Sequence, residues 1–249
     1  MEKINFQHSV IFFNICILIS PFYVIFNFEP IIVCLFLILI LGISHGALDN
    51  IKGKKLLKLL GYKSTVSFYL AYILISLLVI VFWLIFPNIV LFLFLVVASY
   101  HFGKEDTVFL FKKNFFTSEC LFFFKGSAVI LAPLLLHKKE TNEIFSILNF
   151  YVFESQVFSN QFLAVLLCLS LLSSLYISNQ KNTNFKLIMV MDFLSLIILN
   201  FFLKPVLAFT FYFCFLHSIR HSITLIAELD RSFKEGLKKF ISKAIPLTF

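Results

Sequence analysis

The chain has 249 residues, of which 60% are hydrophobic and only 14% are charged, and its mean hydropathy is +0.98. Soluble domains are about 45–50% apolar and about 25% charged, so this composition excludes a soluble globular protein and predicts a membrane-embedded one. The net charge of +8 does not indicate nucleic-acid binding, because the basic residues lie between apolar segments, where they set topology and contact lipid head groups.

Eight apolar runs approach or reach the roughly 17–25 residues that a transmembrane helix needs. They lie at 9–28, 30–46, 66–86, 88–103, 119–136, 160–177, 186–203 and 205–227. No repeat, linker or change of composition divides the chain, which predicts a single membrane-embedded domain over 1–249. The expected fold class is therefore all-α, a polytopic transmembrane helical bundle of about eight spans.

The basic residues are distributed unequally between the two sides of this bundle. Sixteen Lys and Arg residues lie in or beside the loops and tails that share a side with both termini, and three lie on the opposite side. The positive-inside rule therefore predicts cytoplasmic N- and C-termini, in a multi-pass protein of the cell (inner or plasma) membrane. The basic segment FKEGLKKFISKAI near the C-terminus is expected to lie along the inner surface.

Four of the six histidines fall at one predicted depth. His45 ends the second apolar run and His101 ends the fourth, whereas His217 and His221 lie in the second half of the eighth. All three helices run toward the cytoplasmic side. Their histidines are therefore expected together, near the cytoplasmic edge of the hydrocarbon.

The spacing and the neighbours of these histidines favour a metal site over simple polar anchoring. His217 and His221 are four residues apart and project from one helix face, as paired imidazole ligands do. Asp49 and Asp106 lie beside the other two histidines, where a carboxylate can accept the second N–H of a ligating imidazole or can neutralise Arg220. Imidazole suits iron, copper or zinc, and the spacing does not choose among these metals.

Other residues near these motifs receive simpler interpretations. His8 and His137 do not share the predicted depth and are left out of the site. Arg220 lies off the ligand face and is expected to pair with a carboxylate or to reach the lipid head groups. Gly46 and Gly103 each follow a motif histidine, and each is expected either to cap its helix or to let a neighbouring helix approach closely.

Three segments, GISHGALDN, SYHFGKED and CFLHSIRH, resemble the signature HGxxD, HFGxxD and HSxRH of the Brp/Blh family. These are the bacterial and archaeal β-carotene 15,15′-dioxygenases named after a bacteriorhodopsin-related protein. The resemblance implies an iron(II) enzyme of the lipid bilayer that uses O2 to split the central double bond of β-carotene into two all-trans retinals. The retinal commonly serves a microbial rhodopsin in the same cell. Family members usually continue past the HSxRH helix, which implies that this chain is truncated at its C-terminus.

The resemblance also implies roles for individual residues. The family's proposed Fe(2+) ligands and acidic positions correspond to His45, His101, His217 and His221, and to Asp49 and Asp106. Arg220 completes the set as a neighbour of the ligands. Because the substrate is long and apolar, a channel is expected to run along the membrane plane, to open sideways to lipid, and to be lined by the even-numbered helices.

Two other functions fit the same residues. Intramembrane His, Asp and Arg side chains can relay protons in a transporter, which would work without stoichiometric iron. A relative without catalytic activity could instead hold carotenoid or retinal and release no product.

Overall fold

A computed structural model describes residues 2–26, 30–46, 53, 57–59, 61, 65–107, 116–179 and 183–248. Within these ranges only the backbone is described at 42–46, 65, 116–117, 179, 183 and 244–248. All regular secondary structure in this part of the chain is helical, which confirms the all-α prediction.

Ten helices organise the described residues. They are α1 (Glu2–Phe26), α2 (Ile31–Gly46), α3 (Thr65–Ile85), α4 (Pro87–Glu105), α5 (Phe116–Leu136), α6 (Lys138–Ile147), α7 (Asn160–Asn179), α8 (Thr183–Phe202), α9 (Pro205–Leu229) and α10 (Phe233–Thr248). Seven of them, namely α1, α3, α4, α5, α7, α8 and α9, are long and apolar enough to cross a membrane. The second predicted span, α2, is also helical but has only 16 residues.

The ends of two spans follow directly from proline. Pro87 and Pro205 each occupy the first turn of a helix, where the missing N–H is not needed and the fixed φ suits helical geometry. Phe86 separates α3 from α4. Pro21 and Pro133 lie inside α1 and α5, which membrane helices tolerate because neighbouring groups satisfy the freed carbonyls.

The closest helix contact joins α4 and α5 through two glycines. A Cβ added to Gly103 would overlap the carbonyl oxygen of Phe122, and one added to Gly126 would overlap the carbonyl oxygen of Ser99. Small residues allow membrane helices to pack this closely. Of the two expectations for Gly103, close helix approach is the one that the structure confirms.

The other helix contacts hold the bundle together, and α9 contributes to four of the pairs described here. Helix α5 packs against α4 and α7, α1 packs against α8, and α9 contacts α1, α2, α8 and α10. A buried apolar cluster, which includes Phe12, Phe102, Leu199, Tyr212 and Leu216, fills the space where α1, α4, α8 and α9 meet. Its members Phe102 and Tyr212 lie next to the ring of His217, so the cluster packs together α4 and α9, which carry three of the four motif histidines.

Candidate active site

Helix α9 contains a π-helical turn immediately before the HSIRH motif. The turn covers Tyr212–His217, between α-helical segments Pro205–Phe211 and Ser218–Leu229. In an α-helix, residues five apart point about 140° away from each other, whereas i→i+5 pairing brings them onto one face. The rings of Tyr212 and His217 accordingly lie 6.1 Å apart between centroids, with an interplanar angle of 27°.

The carboxylate of Asp106 accepts a hydrogen bond from each of these two side chains. His217 donates from Nδ1 to Oδ1 of Asp106 over 2.8 Å, and the hydroxyl of Tyr212 donates to Oδ2 over 2.7 Å. Both His217 and Asp106 are almost completely buried. Lys125 of α5 places its Nζ 3.7 Å from Oδ2, so a cation accompanies the buried carboxylate. The carboxylate at the end of α4 therefore meets the histidine of α9, rather than His101 on its own helix.

The neighbouring carboxylate makes an equivalent contact one turn further along α9. His221 donates from Nδ1 to Oε2 of Glu105 over 2.7 Å. Adjacent acidic residues of α4 thus hold the i, i+4 histidine pair of α9. In both histidines Nδ1 is the nitrogen held by a carboxylate, so Nε2 is the nitrogen that would bind a metal.

Of the other two motif histidines, the structure describes the side chain of His101 but not that of His45. The ring centroid of His101 lies 5.4 Å from that of His217, at an interplanar angle of 68°. The side chain of His45, and Asp49 as a whole, lie outside the described residues. Helix α2, which ends just after His45, packs against α9. Among the side chains that the structure describes, no group of three His, Cys, Asp or Glu residues is arranged to hold a metal ion.

Arg220 forms a separate buried ion pair. Its guanidinium donates to Asp192 of α8, from NH1 to Oδ2 over 2.5 Å and from NH2 to Oδ1 over 3.2 Å. Ser9 of α1 accepts from NH2 over 2.7 Å and donates to Oδ1 of Asp192 over 2.9 Å. Arg220 also reaches Asp106, but through the backbone carbonyl at 3.4 Å. Its carboxylate partner is therefore Asp192, which the sequence interpretation did not include.

His8 also lies closer to this region than its N-terminal position suggested. Its Nε2 donates over 2.8 Å to the carbonyl oxygen of Phe215, within the π-helical turn. The wider turn changes the usual i→i+4 pairing of carbonyl groups, and a histidine from α1 supplies a donor here. The contact links α1 to the segment that carries Tyr212 and His217.

An apolar cavity of about 280 Å³ lies near this site. Residues of α4, α5, α6 and α9 line it, and Phe102 belongs both to its wall and to the site, since its ring meets that of His217 at 4.8 Å. Phe94, which is 60% exposed, also belongs to its lining. On α4 its lining runs from Phe94 to Phe102, so the cavity follows this helix over about two turns.

Signals for the residues that were missed are present in the sequence. Asp192 is the one acidic residue in the apolar run LIMVMDFLSLIILN, and Lys125 interrupts another apolar run. An ionisable residue inside a membrane span usually faces a partner in the protein interior. Glu105 stands four residues after His101, a spacing from which it was expected to be able to approach that histidine, whereas in the structure it contacts His221. Tyr212 carried no comparable signal, because its contact depends on the π-helical turn.

The fold and the site together define a class of protein. It is a multi-pass helical membrane protein in which carboxylates orient two buried histidines beside an apolar cavity. Carboxylate-oriented imidazoles of this kind are typical of metal-dependent enzymes.

Comparison with known proteins narrows this class. The family model described as beta-carotene 15,15'-dioxygenase matches residues 36–249, and the chain therefore belongs to that family. It is a carotenoid-cleaving oxygenase, as the motifs predicted, and β-carotene is the substrate that the family implies. A protein from uncultured marine bacterium 66A03, named "Beta-carotene 15,15'-dioxygenase", is 28% identical over 224 residues, which cover 85% of this chain and 74% of the relative. No solved structure matches the chain.

Proposed function

We propose that this protein is an iron(II)-dependent dioxygenase that cleaves the central 15,15′ double bond of β-carotene with O2 and releases two all-trans retinals. The observation that carries the proposal is the pairing of His217 with Asp106 and of His221 with Glu105, at 2.8 Å and 2.7 Å, in a chain of the β-carotene dioxygenase family. We further propose that it acts in the cell membrane with both termini cytoplasmic, and that its retinal serves a microbial rhodopsin.

The donor chemistry of these residues fits an iron ion. His101, His217 and His221 would hold it, together with His45 at the end of α2. Imidazole nitrogen is a common ligand for iron, and a carboxylate on the second ring nitrogen fixes the tautomer and raises the basicity of the ligand. When bound, iron supplies the reactivity toward O2 that no amino-acid side chain provides.

The remaining residues act by orientation and by exclusion of water. Asp106 and Glu105 fix the ring planes of their histidines through Nδ1, and Tyr212 holds Asp106 in place through its second oxygen. Lys125 accompanies the buried charge of Asp106. Phe102, together with the apolar cluster around it, keeps water from the side on which an apolar substrate would approach.

The test is expression of the chain in a bacterial host that makes β-carotene, followed by chromatography of retinal and elemental analysis of the purified protein. We expect retinal and bound iron with the wild type, and neither with His217→Ala. His137→Ala is the matched control, since His137 directly precedes α6 and is not among the residues proposed to hold the metal. Retained pigment without retinal, from wild-type protein present in the membrane, would contradict the oxygenase and favour a carotenoid-binding protein.

A further inference from the structure

We propose that the apolar cavity beside His217 binds one half of the β-carotene molecule, and that its length selects the central double bond for cleavage. This inference rests on the proposed function and adds the residues that determine where the substrate is cut. A long polyene offers many similar double bonds, so position along the chain has to be set by the distance between the site and the end of a binding channel.

The lining of the cavity suits a hydrocarbon. Among the described residues that line it, Thr141 carries the only polar side-chain group. Its hydroxyl already donates to the carbonyl oxygen of Pro133 over 3.1 Å. The cavity therefore presents no group that would have to give up a hydrogen bond with water when an apolar chain enters, and burial of the chain is favourable throughout.

Aromatic side chains connect the cavity to the site. Phe102 lines the cavity and its ring lies 4.8 Å from that of His217. Phe209 also lines the cavity and stacks on Phe213 at 5.6 Å, and Phe213 in turn lies 5.9 Å from His217. A polyene lying against these rings would have its reacting end beside the motif histidines.

The length of the cavity is close to half the length of the substrate. On α4 its lining runs from Phe94 to Phe102, which is about 12 Å along the helix axis. On α9 the distance from Pro205, at the far end of the cavity, to His217 is about 18 Å. β-Carotene is about as long as the ~30 Å hydrocarbon core, so each half measures on the order of 15 Å.

Charged residues lie near the end of the cavity that is farther from His217. A second cavity of about 330 Å³ shares Ile144, Pro205 and Val206 with the first; most of its lining is apolar, but Glu140, Glu143 and Lys204 bring charged groups to it. An unsubstituted hydrocarbon ring gains nothing by displacing water from such groups. The ring at the end of the substrate is therefore expected to stop near Pro205, which leaves the middle of the molecule at the histidines.

Filling the cavity tests the inference. Ala98→Phe and Val206→Phe each add atoms at a lining position, one on each side of the cavity. Val97→Phe is the matched control, because Val97 is the preceding residue of α4, is 64% exposed and does not line the cavity. Each variant is assayed on β-carotene and on a truncated apocarotenal that keeps one ring and one complete half but has a shortened second half.

The two substrates should respond differently. We expect each filling variant to lower retinal formation from β-carotene by about tenfold or more, since a packed site does not accommodate the added ring, while the truncated substrate loses roughly threefold or less. The short arm can lie in the filled cavity, and the complete half occupies the other side of the site. Val97→Phe should leave both rates unchanged.

A binding measurement separates this inference from the proposed function. On the inactive His217→Ala background, Ala98→Phe or Val206→Phe should reduce the β-carotene that copurifies with the protein, and Val97→Phe should not. Unchanged cleavage of β-carotene in both filling variants would overturn the inference, and it is the result expected if a lipid acyl chain occupies the cavity. An equal loss of activity on both substrates in both variants would also overturn it. Failure of the wild type to form retinal from either substrate would overturn the proposed function itself.

Discussion

Oδ1 of Asp106 and Nδ1 of His217 lie 2.8 Å apart, although 111 residues separate the two in the chain. The contact joins the last residue of the HFGKED segment to the first histidine of HSIRH. It also depends on the π-helical turn of α9, which places Tyr212 on the same carboxylate. One carboxylate therefore holds both the proposed ligand and a tyrosine from the π-helical turn that ends at that ligand.

Asp106→Asn is expected to reduce iron binding by roughly 10–100-fold, the usual effect of removing a carboxylate that orients a ligating imidazole. The substitution preserves size but removes the charge that accepts from His217 and that accompanies Lys125. Iron per protein and retinal formation are the measurements. Asp230→Asn is the control, because that carboxylate pairs with Lys239 beyond the end of α9. Full iron occupancy in Asp106→Asn would refute the assigned role.

Tyr212→Phe removes a single hydroxyl and leaves the ring packed. Because that hydroxyl donates to the charged Asp106 over 2.7 Å, its loss should destabilise the protein by about 1.5–3 kcal/mol and lower retinal formation. Thermal unfolding of the solubilised protein measures the first effect. Tyr176→Phe, at a side chain that is 57% exposed, should change neither quantity. An identical Tm for wild type and Tyr212→Phe would show that the hydrogen bond contributes nothing to stability.

The stability of the protein is expected to depend on both partners of the buried ion pair between Asp192 and Arg220. Asp192→Leu alone leaves a buried guanidinium without its carboxylate and should cost about 3–5 kcal/mol, seen as a lower Tm. The double variant Asp192→Leu/Arg220→Met should recover much of this loss, because neither charge then remains buried. The exposed pair of Lys238 and Glu235 is the comparison, and Glu235→Gln should shift stability by less than about 1 kcal/mol. Equal damage from the single and the double variant would argue against this account.

Gly103→Ala should separate α4 from α5. The added methyl group would overlap the carbonyl oxygen of Phe122, a backbone atom that cannot move alone, and overpacking of this kind costs about 1–3 kcal/mol. Because Glu105 and Asp106 lie only two and three residues after Gly103, we expect retinal formation to fall together with Tm. Val97→Ala, on the exposed side of the same helix, should leave both nearly unchanged. Wild-type stability in Gly103→Ala would mean that the helices do not approach as closely as described.

Removal of metal distinguishes an iron enzyme from the transporter that the same residues allow. Treatment of the purified protein with an iron(II) chelator should abolish retinal formation, and added Fe(2+) should restore it whereas Zn(2+) should not, since zinc has no redox chemistry. The His217→Ala variant should fail to recover with either metal. Persistence of retinal formation in protein shown to contain no iron would rule out the proposed cofactor.

The sequence predicted the helices and the histidines better than it predicted their partners. Apolar length and proline positions sufficed for the spans, because a membrane helix satisfies its own backbone. The pairing of Arg220 with Asp192 depends on how α8 packs against α9, which hydropathy does not specify. The position of Tyr212 beside His217 could not be predicted for a different reason. An α-helical register points Tyr212 away from His217, and only the π-helical turn brings the two together.

The π-helical turn also limits what a motif search can establish. A π turn contains one residue more than an α turn, so deletion of a single residue within 212–216 would let α9 continue as an uninterrupted α-helix. Every letter of HSIRH could survive such a deletion, yet the segment before it would rotate by about 100° relative to the histidines. Residue count between Pro205 and the motif is thus part of the signature, and homologues that differ by one residue there deserve separate assays even when their histidines match.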